Sequence, residues 1–283
     1  MEAGLRGRTC MVTGATGGIG RAAAHALARK GAELILVARD RERGEATVEE
    51  VMRASGNPEV EVLCADLGDL DQVRALARDF LASRRPLHVL LNNAGAVFVG
   101  RQETRAGLEA TFAVNHLGPF LLTNLLLERM RSSAPARIVN VASDAHRFAG
   151  ALDFGDLQSR ERYRAMKVYG KSKLMNLLFT RELARRLDGS RVTVNALHPG
   201  FVGSGLGTNN GWLGRATMLL LRPFARTPEK GAETAVFLSS APEVEGQTGG
   251  YWCDRRPHDP HASALRDEDA SRLWQVSSDL AGL

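Results

Sequence analysis

The alternation of short apolar runs with helical stretches constrains the fold of this chain most. The apolar runs cover residues 9–13, 33–38, 60–64, 87–92, 137–142, 191–197 and 250–253. Most are apolar without strict alternation, which is typical of strands buried on both faces of a parallel sheet. Helical periodicity fills residues 19–30, 41–54, 70–83, 103–131, 169–187 and 228–239. The pattern predicts an α/β fold with a doubly wound parallel sheet of about seven strands and helices on both faces.

Two long connections interrupt this alternation, at residues 144–168 and 201–227. Both follow the carboxyl ends of strands, where open α/β sheets bind their ligands. We therefore expect them to form the walls of a substrate pocket. The apolar stretch 212–224, with Arg215 and Arg222 interspersed, is interpreted as a lid helix packed on the core. A helix lying at a membrane surface is the alternative.

Composition limits the classes of protein to which the chain can belong. Its 283 residues are 44% apolar, enough for one domain over residues 1–283. The net charge of +5 is spread along the chain, which argues against nucleic-acid binding and suits a polyanionic cofactor or anionic lipid. The three cysteines lack metal-ligand spacing, so we expect no metal and a reducing compartment. Because the first strand begins near Thr9, we expect no signal or anchor and a cytoplasmic location.

A glycine-rich loop joins the first strand to the first helix, with the sequence Thr13-Gly14-Ala15-Thr16-Gly17-Gly18-Ile19-Gly20. Glycine permits a tight turn and lets backbone N–H groups approach a pyrophosphate at the helix N-terminus. A loop in this context predicts dinucleotide binding in a Rossmann-type fold. The expected contacts are Gly14, Thr16, Gly18, Ile19 and Gly20.

The end of the second strand distinguishes NADP(H) from NAD(H). In NAD enzymes an acidic residue at this place binds the ribose 2′-hydroxyl, whereas a nearby arginine accommodates a 2′-phosphate. This chain has Ala38 followed by Arg39, whose guanidinium suits a phosphate. We therefore predict a preference for NADP(H). Asp40 offers an alternative ribose ligand, and its competing interpretation is the N-cap of the next helix.

Tyr169 and Lys173 are four residues apart and so share one face of a helix. An ammonium beside a phenol lowers the phenol pKa, which suits acid–base chemistry near neutral pH. The pair alone is common on solvated helices. Other polar positions at strand ends or on an adjoining helix would face the same cleft: Asn93 and Gly95, Asn115, Ser143, and His198-Pro199-Gly200.

These motifs, taken in order over nearly the whole chain, resemble the short-chain dehydrogenase/reductase family. The resemblance implies that Ser143 binds the substrate oxygen and that Tyr169 transfers the proton. It also implies that Lys173 lowers the Tyr169 pKa and binds the nicotinamide ribose, and that Asn115 holds a water linking Lys173 to solvent. The alternative for Asn115 is a buried helix residue bonded to backbone. The remaining implied cofactor contacts are Asp66, Leu67, Asn93, Gly95, Pro199, Gly200, Val202 and Ser204.

The chain is also similar to the retinol dehydrogenase branch of that family. The similarity rests on the long gap between Ser143 and Tyr169, on residues 157–159 and 179–187, and on the tail 272–280. It implies NADPH-dependent reduction of retinal or another hydrophobic aldehyde or ketone. It also allows a homodimer formed through helices 103–131 and 169–187, and weak contact with a membrane surface. A non-catalytic NADP(H) sensor and a reductase of a ring double bond remain as alternatives.

Overall fold

The computed structural model describes residues 4–202 and 225–283, which contain an eight-stranded sheet. The strands are β1 (Thr9–Thr13), β2 (Glu33–Ala38), β3 (Val60–Cys64), β4 (Val89–Asn92), β5 (Ala136–Val141), β6 (Val192–His198), β7 (Tyr251–Cys253) and β8 (Arg256–Pro257). Their order is β3-β2-β1-β4-β5-β6-β7-β8, parallel except for β8, which runs antiparallel to β7. The doubly wound parallel sheet predicted from the sequence is confirmed. The prediction of about seven strands missed β8, which is too short to show a pattern.

Helices cover both faces of this sheet. They are α1 (Gly18–Arg29), α2 (Arg41–Ser55), α3 (Leu70–Ala82), α4 (Ala110–Ser132), α5 (Ala165–Arg186), α6 (Pro228–Ser240) and α7 (Asp267–Ala281). Buried residues of α1, α2 and α6 share one apolar core with the sheet, and those of α3, α4, α5 and α7 share the other. Burial on both sides explains why the central strands are apolar throughout.

Helix α4 begins later than the sequence predicts, because residues 103–109 are not helical. Glu103 and Glu109 form an isolated antiparallel bridge. The Glu109 carboxylate then accepts hydrogen bonds from the backbone N–H groups of Thr111 (2.8 Å) and Phe112 (2.7 Å) and caps the helix. The prediction of a helix over residues 103–131 was therefore wrong in its first turns. Helix α7 was not predicted at all.

Helix α4 is long and apolar enough to cross a membrane by composition alone, yet 78% of its most apolar window is buried in the fold. The core helix of a globular protein passes the same composition test. We therefore treat α4 as a core helix.

The order of the strands reverses direction at β1, which pairs with β2 on one side and β4 on the other. Chain connections leave these strands toward opposite faces, so a crevice opens at their carboxyl ends. The glycine-rich loop after β1 and the Asn93 segment after β4 both lie at this crevice.

Candidate active site

The glycine-rich loop makes a tight turn between β1 and the N-terminus of α1. Gly14 and Gly18 adopt left-handed backbone conformations, with φ of 66° and 51°. A Cβ on Gly14 would lie 2.8 Å from the Ala94 Cα, and one on Gly20 would overlap the Gly14 carbonyl oxygen. The loop ends at the N-terminus of α1, where the N-cap is Gly17 and no side chain covers the first amides. Those amides are free to bind an anion.

Asn93 fastens this loop to the end of β4. Its amide nitrogen donates to the carbonyl oxygens of Thr13 (2.8 Å) and Gly14 (3.2 Å). The Thr13 hydroxyl in turn accepts from the backbone N–H groups of Asn93 and Ala94, both at 3.0 Å. The side chain of Asn93 therefore shapes the cofactor loop. The sequence analysis had assigned Asn93 a place along the cofactor and had not identified Thr13 as its partner.

The end of β2 lies beside the same loop, since the Gly14 N–H donates to the Val37 carbonyl at 3.0 Å. Ala38 is buried and Arg39 is exposed. The Asp40 carboxylate accepts from the Arg43 N–H at 3.0 Å, which makes it the N-cap of α2. This contact agrees with the capping interpretation of Asp40.

Asp66 and Leu67 follow β3 and face α4. The Asp66 carboxylate accepts from the Gly68 N–H at 2.8 Å. Leu67 is buried, and a Cβ added to Gly118 of α4 would overlap its carbonyl oxygen. Close packing of α4 thus fixes the backbone on this side of the crevice.

Ser143, Tyr169 and Lys173 meet at the carboxyl end of β5. Ser143 follows that strand, and its hydroxyl accepts from the Ala145 N–H at 3.1 Å at the start of a 3-10 helix, Asp144–Phe148. Tyr169 and Lys173 lie one turn apart on α5, and the Lys173 Nζ is 5.5 Å from the Tyr169 ring centroid. Both side chains are buried. The structure therefore brings together three of the residues that the sequence analysis selected.

The pKa of Tyr169 differs from the sequence-based expectation. Burial raises it to about 12, while the hydrogen-bonding Ser143 side chain acts in the opposite direction. Burial also lowers the pKa of Lys173 to about 8. The Lys173 ammonium donates to the Val141 carbonyl at 2.8 Å and lies over the phenol ring. In the protein alone, desolvation of the phenolate thus outweighs the acidification that we expected from Lys173.

Asn115 lies in a π-helical turn, Ala113–Leu117, within α4. Its carbonyl oxygen accepts from the Ala96 N–H at 2.7 Å, and its amide nitrogen donates to the Ala96 carbonyl (2.9 Å) and the Ser172 hydroxyl (3.0 Å). The side chain is thus occupied by protein partners, which matches the interpretation of a buried asparagine bonded to backbone. A water held by its side-chain amide is not supported by this geometry.

Gly95 keeps space open beside these residues. A Cβ on Gly95 would lie 3.4 Å from the Lys173 Nζ and 3.5 Å from the Asn115 carbonyl oxygen. An alanine methyl group there would be in ordinary van der Waals contact with both atoms, so Gly95 lies directly beside the ammonium.

The segment after β6 forms the remaining side of the site. Gly200 has a φ of 81°, and the Arg226 side chain covers it so closely that a Cβ would lie 2.7 Å from the Arg226 Cδ. Arg226 is held by Asp254, with its Nη2 at 3.0 Å from Oδ2. Val202 is buried and forms a bridge with Arg226, while Pro199 is half-buried. Ser204 and the stretch 212–224 lie outside the described residues.

The predicted pocket wall at residues 144–168 is anchored to the loop after β4 and to α5. The Tyr163 hydroxyl donates to the Phe98 carbonyl at 2.8 Å, in the loop after β4. Lys171 of α5 is buried and donates to the Asp156 carbonyl (2.8 Å) and the Ser159 hydroxyl (3.1 Å). The sequence analysis missed Lys171, whose only indication was a lysine within a largely apolar helix.

The family model of the short chain dehydrogenases matches residues 8–211. The chain belongs to the short-chain dehydrogenase family. It is 43% identical to retinol dehydrogenase 12 of Mus musculus over 279 residues, covering 99% of this chain and 88% of that protein. This similarity places the present short-chain dehydrogenase in the retinol dehydrogenase-like branch.

Solved structures agree with that assignment. An uncharacterized protein from Mycobacterium Paratuberculosis has a TM-score of 0.79 and 33% identity, with 99% of this short-chain dehydrogenase and 96% of that chain covered. The RhlG/NADP active-site complex of Pseudomonas aeruginosa has a TM-score of 0.69 and 29% identity, with 88% and 94% covered.

Short-chain dehydrogenases bind a nicotinamide cofactor and interconvert alcohols and carbonyls. The residues of this short-chain dehydrogenase fit such a group, because no side chain caps the first amides of α1 and a Cβ on Gly17 would meet only open space. Within residues 4–202 and 225–283, no cluster of three or more His, Cys, Asp or Glu side chains could hold a metal ion.

Proposed function

We propose that this protein is an NADP(H)-dependent oxidoreductase that interconverts a hydrophobic aldehyde or ketone and its alcohol. In this proposal the chain forms one catalytic domain and acts in the cytoplasm, with retinal as one candidate substrate. The observation that carries the proposal is the convergence of half-buried Ser143 with buried Tyr169 and Lys173 at the carboxyl end of β5, the same edge of the sheet as the glycine-rich loop.

The nicotinamide, when bound, supplies or accepts the hydride. Ser143 would bind the substrate oxygen, and Tyr169 would donate its proton to that oxygen during reduction. A phenol with a pKa of about 12 is protonated at neutral pH, which is the form that reduction needs. Lys173, with a pKa of about 8, is largely protonated at pH 7 and would stabilise the phenolate that proton donation leaves. In the oxidation direction, Tyr169 would instead accept the proton from the substrate hydroxyl.

Asn115 serves this chemistry as a positioning residue. Its amide holds Ala96 and Ser172 in place, and Ser172 lies in the turn between Tyr169 and Lys173. A π-helical turn leaves a main-chain carbonyl without its usual helical partner. We propose that this carbonyl, in place of the amide, binds the water that links Lys173 to solvent.

Arg39 supports the preference for NADP(H). It is exposed beside the phosphate loop, Ala38 contributes no competing charge, and Asp40 is engaged in capping α2. A guanidinium in that position can bind a 2′-phosphate through two parallel N–H hydrogen bonds. The similarity to a chain solved with NADP is consistent with this choice. The proposed cofactor contacts are Gly14, Thr16, Gly18, Ile19, Gly20, Asp66, Leu67, Asn93, Gly95, Pro199, Gly200, Val202 and Ser204.

The experiment that tests the proposal measures NADPH consumption with aliphatic, aromatic and retinoid aldehydes. Tyr169→Phe should lower turnover by about 10²- to 10⁴-fold, because the acid–base group is lost, and should leave NADPH binding intact. Tyr163→Phe is the matched control, since its hydroxyl donates to the Phe98 carbonyl in the loop after β4. Full turnover by Tyr169→Phe would refute the mechanism. Tight NADPH binding without turnover of any carbonyl would instead favour the sensor alternative.

A further inference from the structure

One histidine, His146, connects the segment after β5 to the segment after β8. It lies in the 3-10 helix that begins after Ser143, and its side chain is buried. Its Nδ1 is 2.8 Å from the Ser143 carbonyl oxygen, and its Nε2 is 2.9 Å from the backbone nitrogen of His261. Both ring nitrogens are therefore engaged by backbone groups, one of which belongs to a residue of the proposed active site.

These two partners leave His146 a single protonation state. The His261 N–H can only donate, so the His146 Nε2 is the unprotonated, accepting nitrogen. The Ser143 carbonyl can only accept, so the Nδ1 carries the proton. Burial also lowers the pKa of His146 from its ordinary value of 6.5. The imidazole is therefore neutral at pH 7, with its proton directed at the Ser143 carbonyl.

Contacts with other elements hold this imidazole and its 3-10 helix in place. The Tyr251 ring packs edge-to-face against the imidazole, with the ring centroids 5.5 Å apart. The Arg147 Nη2 donates to the Asp259 carbonyl at 3.0 Å, which fastens the 3-10 helix to the segment after β8. A Cβ on Gly170 would lie 2.5 Å from the Ala145 carbonyl oxygen, so α5 packs directly against the 3-10 helix as well. The imidazole thus has a fixed position from which to act on Ser143.

The position of the Ser143 hydroxyl depends on the backbone that His146 holds. That hydroxyl accepts from the Ala145 N–H at 3.1 Å and hydrogen-bonds the Tyr169 side chain. The Ser143 carbonyl accepts from the His146 backbone N–H at 3.1 Å as well as from the imidazole. Because the hydroxyl and the carbonyl belong to one residue, a contact that fixes the carbonyl also limits the movement of the hydroxyl.

We infer that His146 is a positioning residue for Ser143: its Nδ1–H fixes the Ser143 carbonyl, and the His261 N–H keeps the proton on Nδ1. The inference rests on the proposed function, in which Ser143 binds the substrate oxygen. Displacement of a reacting group by about 1 Å can slow a reaction by about 100-fold, so a contact that never touches substrate can control turnover. A histidine that served only the core would instead change the amount of folded protein and leave the turnover of each folded molecule unaltered.

Replacement of His146 by Asn and by Leu separates its hydrogen bond from its volume. The two side chains have nearly the same shape, and only Asn has a donor that can take the place of Nδ1. His146→Leu should lower carbonyl turnover per NADPH-binding site by about 10- to 100-fold. His146→Asn should retain turnover within about threefold of the unaltered protein, because the bond to the Ser143 carbonyl is kept. NADPH titration counts the binding sites and so removes the contribution of unfolded protein.

The Ala145 amide reports on the Ser143 hydroxyl without turnover, because it donates to that hydroxyl. Its hydrogen exchange, measured by NMR, should be about tenfold faster in His146→Leu and unchanged in His146→Asn. The imidazole 15N signals of the unaltered protein test the same inference without any variant. At pH 7 they should show His146 with a protonated Nδ1 and an unprotonated Nε2.

Asn57→Leu is the matched control for a general loss of stability. The Asn57 Nδ2 donates to the carbonyls of Ala28 (3.1 Å) and Ala32 (2.8 Å), before β2 and β3 and hence at the opposite edge of the sheet from Ser143. This variant should lower the thermal unfolding temperature and change neither turnover per NADPH-binding site nor exchange of the Ala145 amide.

Full turnover per site in His146→Leu would overturn the inference, as would equal losses in His146→Leu and His146→Asn. A proton on the Nε2 of His146, or an Ala145 exchange rate that does not respond to His146→Leu, would also overturn it. The proposed function fails in a different way. If the unaltered protein turned over no carbonyl while the exchange rates behaved as expected, the proposed function would be refuted and the control of Ser143 by His146 would be supported.

Discussion

Replacing Lys173 by Met should change how the stability of the cofactor-free protein depends on pH. Burial lowers the pKa of Lys173 from 10.5 to about 8. At 1.36 kcal/mol per pKa unit, keeping this ammonium charged in the fold costs about 3 kcal/mol at neutral pH. Between these two pKa values the unfolded chain holds a proton that the folded chain has released. The free energy of unfolding of the unaltered protein should therefore rise with pH, relative to Lys173→Met, by about 2 kcal/mol from about pH 7 to about pH 9.5.

Urea unfolding of both proteins at several pH values measures this difference. The hydrogen bond from Lys173 to the Val141 carbonyl is also lost in the variant. Its loss shifts the free energy of unfolding by nearly the same amount at every pH and so changes the pH dependence little. Lys167→Met, at an exposed position on the same helix, controls for removal of a lysine from α5. Parallel pH profiles for the unaltered protein and Lys173→Met would refute the reasoning. Turnover of Lys173→Met should be lost whichever way its stability changes, since the phenolate then has no neighbouring cation.

Three further predictions concern the cofactor loop and the core. Arg39→Asp should weaken NADPH binding by about 10- to 100-fold and NADH binding far less, because charge-assisted hydrogen bonds to the phosphate are lost; equal loss in fluorescence titrations would contradict the preference for NADP(H). Gly20→Ala should lower the thermal unfolding temperature, because the added Cβ overlaps the loop backbone and the Asn93 amide. Gly17→Ala is the control and should leave that temperature unchanged, because its Cβ meets open space. Similar unfolding temperatures for the two variants would disprove the steric argument. Tyr251→Phe should stabilise the protein to urea by about 1 kcal/mol, since its buried hydroxyl has no partner among the described residues; a clear loss of stability would show that the hydroxyl is satisfied.

The strands and the grouping of Ser143, Tyr169 and Lys173 were predictable because both leave strong local patterns. Runs such as residues 9–13 and 33–38 match β1 and β2 to the residue, since burial on both faces requires continuous apolar sequence. The start of α4 was not predictable in the same way. Its cap is a glutamate, Glu109, and glutamate is not among the residues preferred at that position.

Hydrogen bonds between distant residues account for what the sequence analysis missed at the site. Asn93 and Thr13 are 80 residues apart, and the hydrogen bonds between them require β4 to lie beside β1. The amide of Asn115 is directed at Ala96, again through tertiary contact. Spacing correctly placed Lys173 beside Tyr169. It carried no information on the depth of burial, which decides the direction of the Tyr169 pKa shift.

The short hairpin at one margin of the sheet has a consequence for self-association. Strand β8 turns back along β7 through Asp254 and Arg255, both in left-handed conformations, and ends in Pro257, which has no N–H to donate. A two-residue strand that contains proline is a poor template for pairing with another chain. Two copies of the protein would therefore gain little by pairing their sheets through this margin.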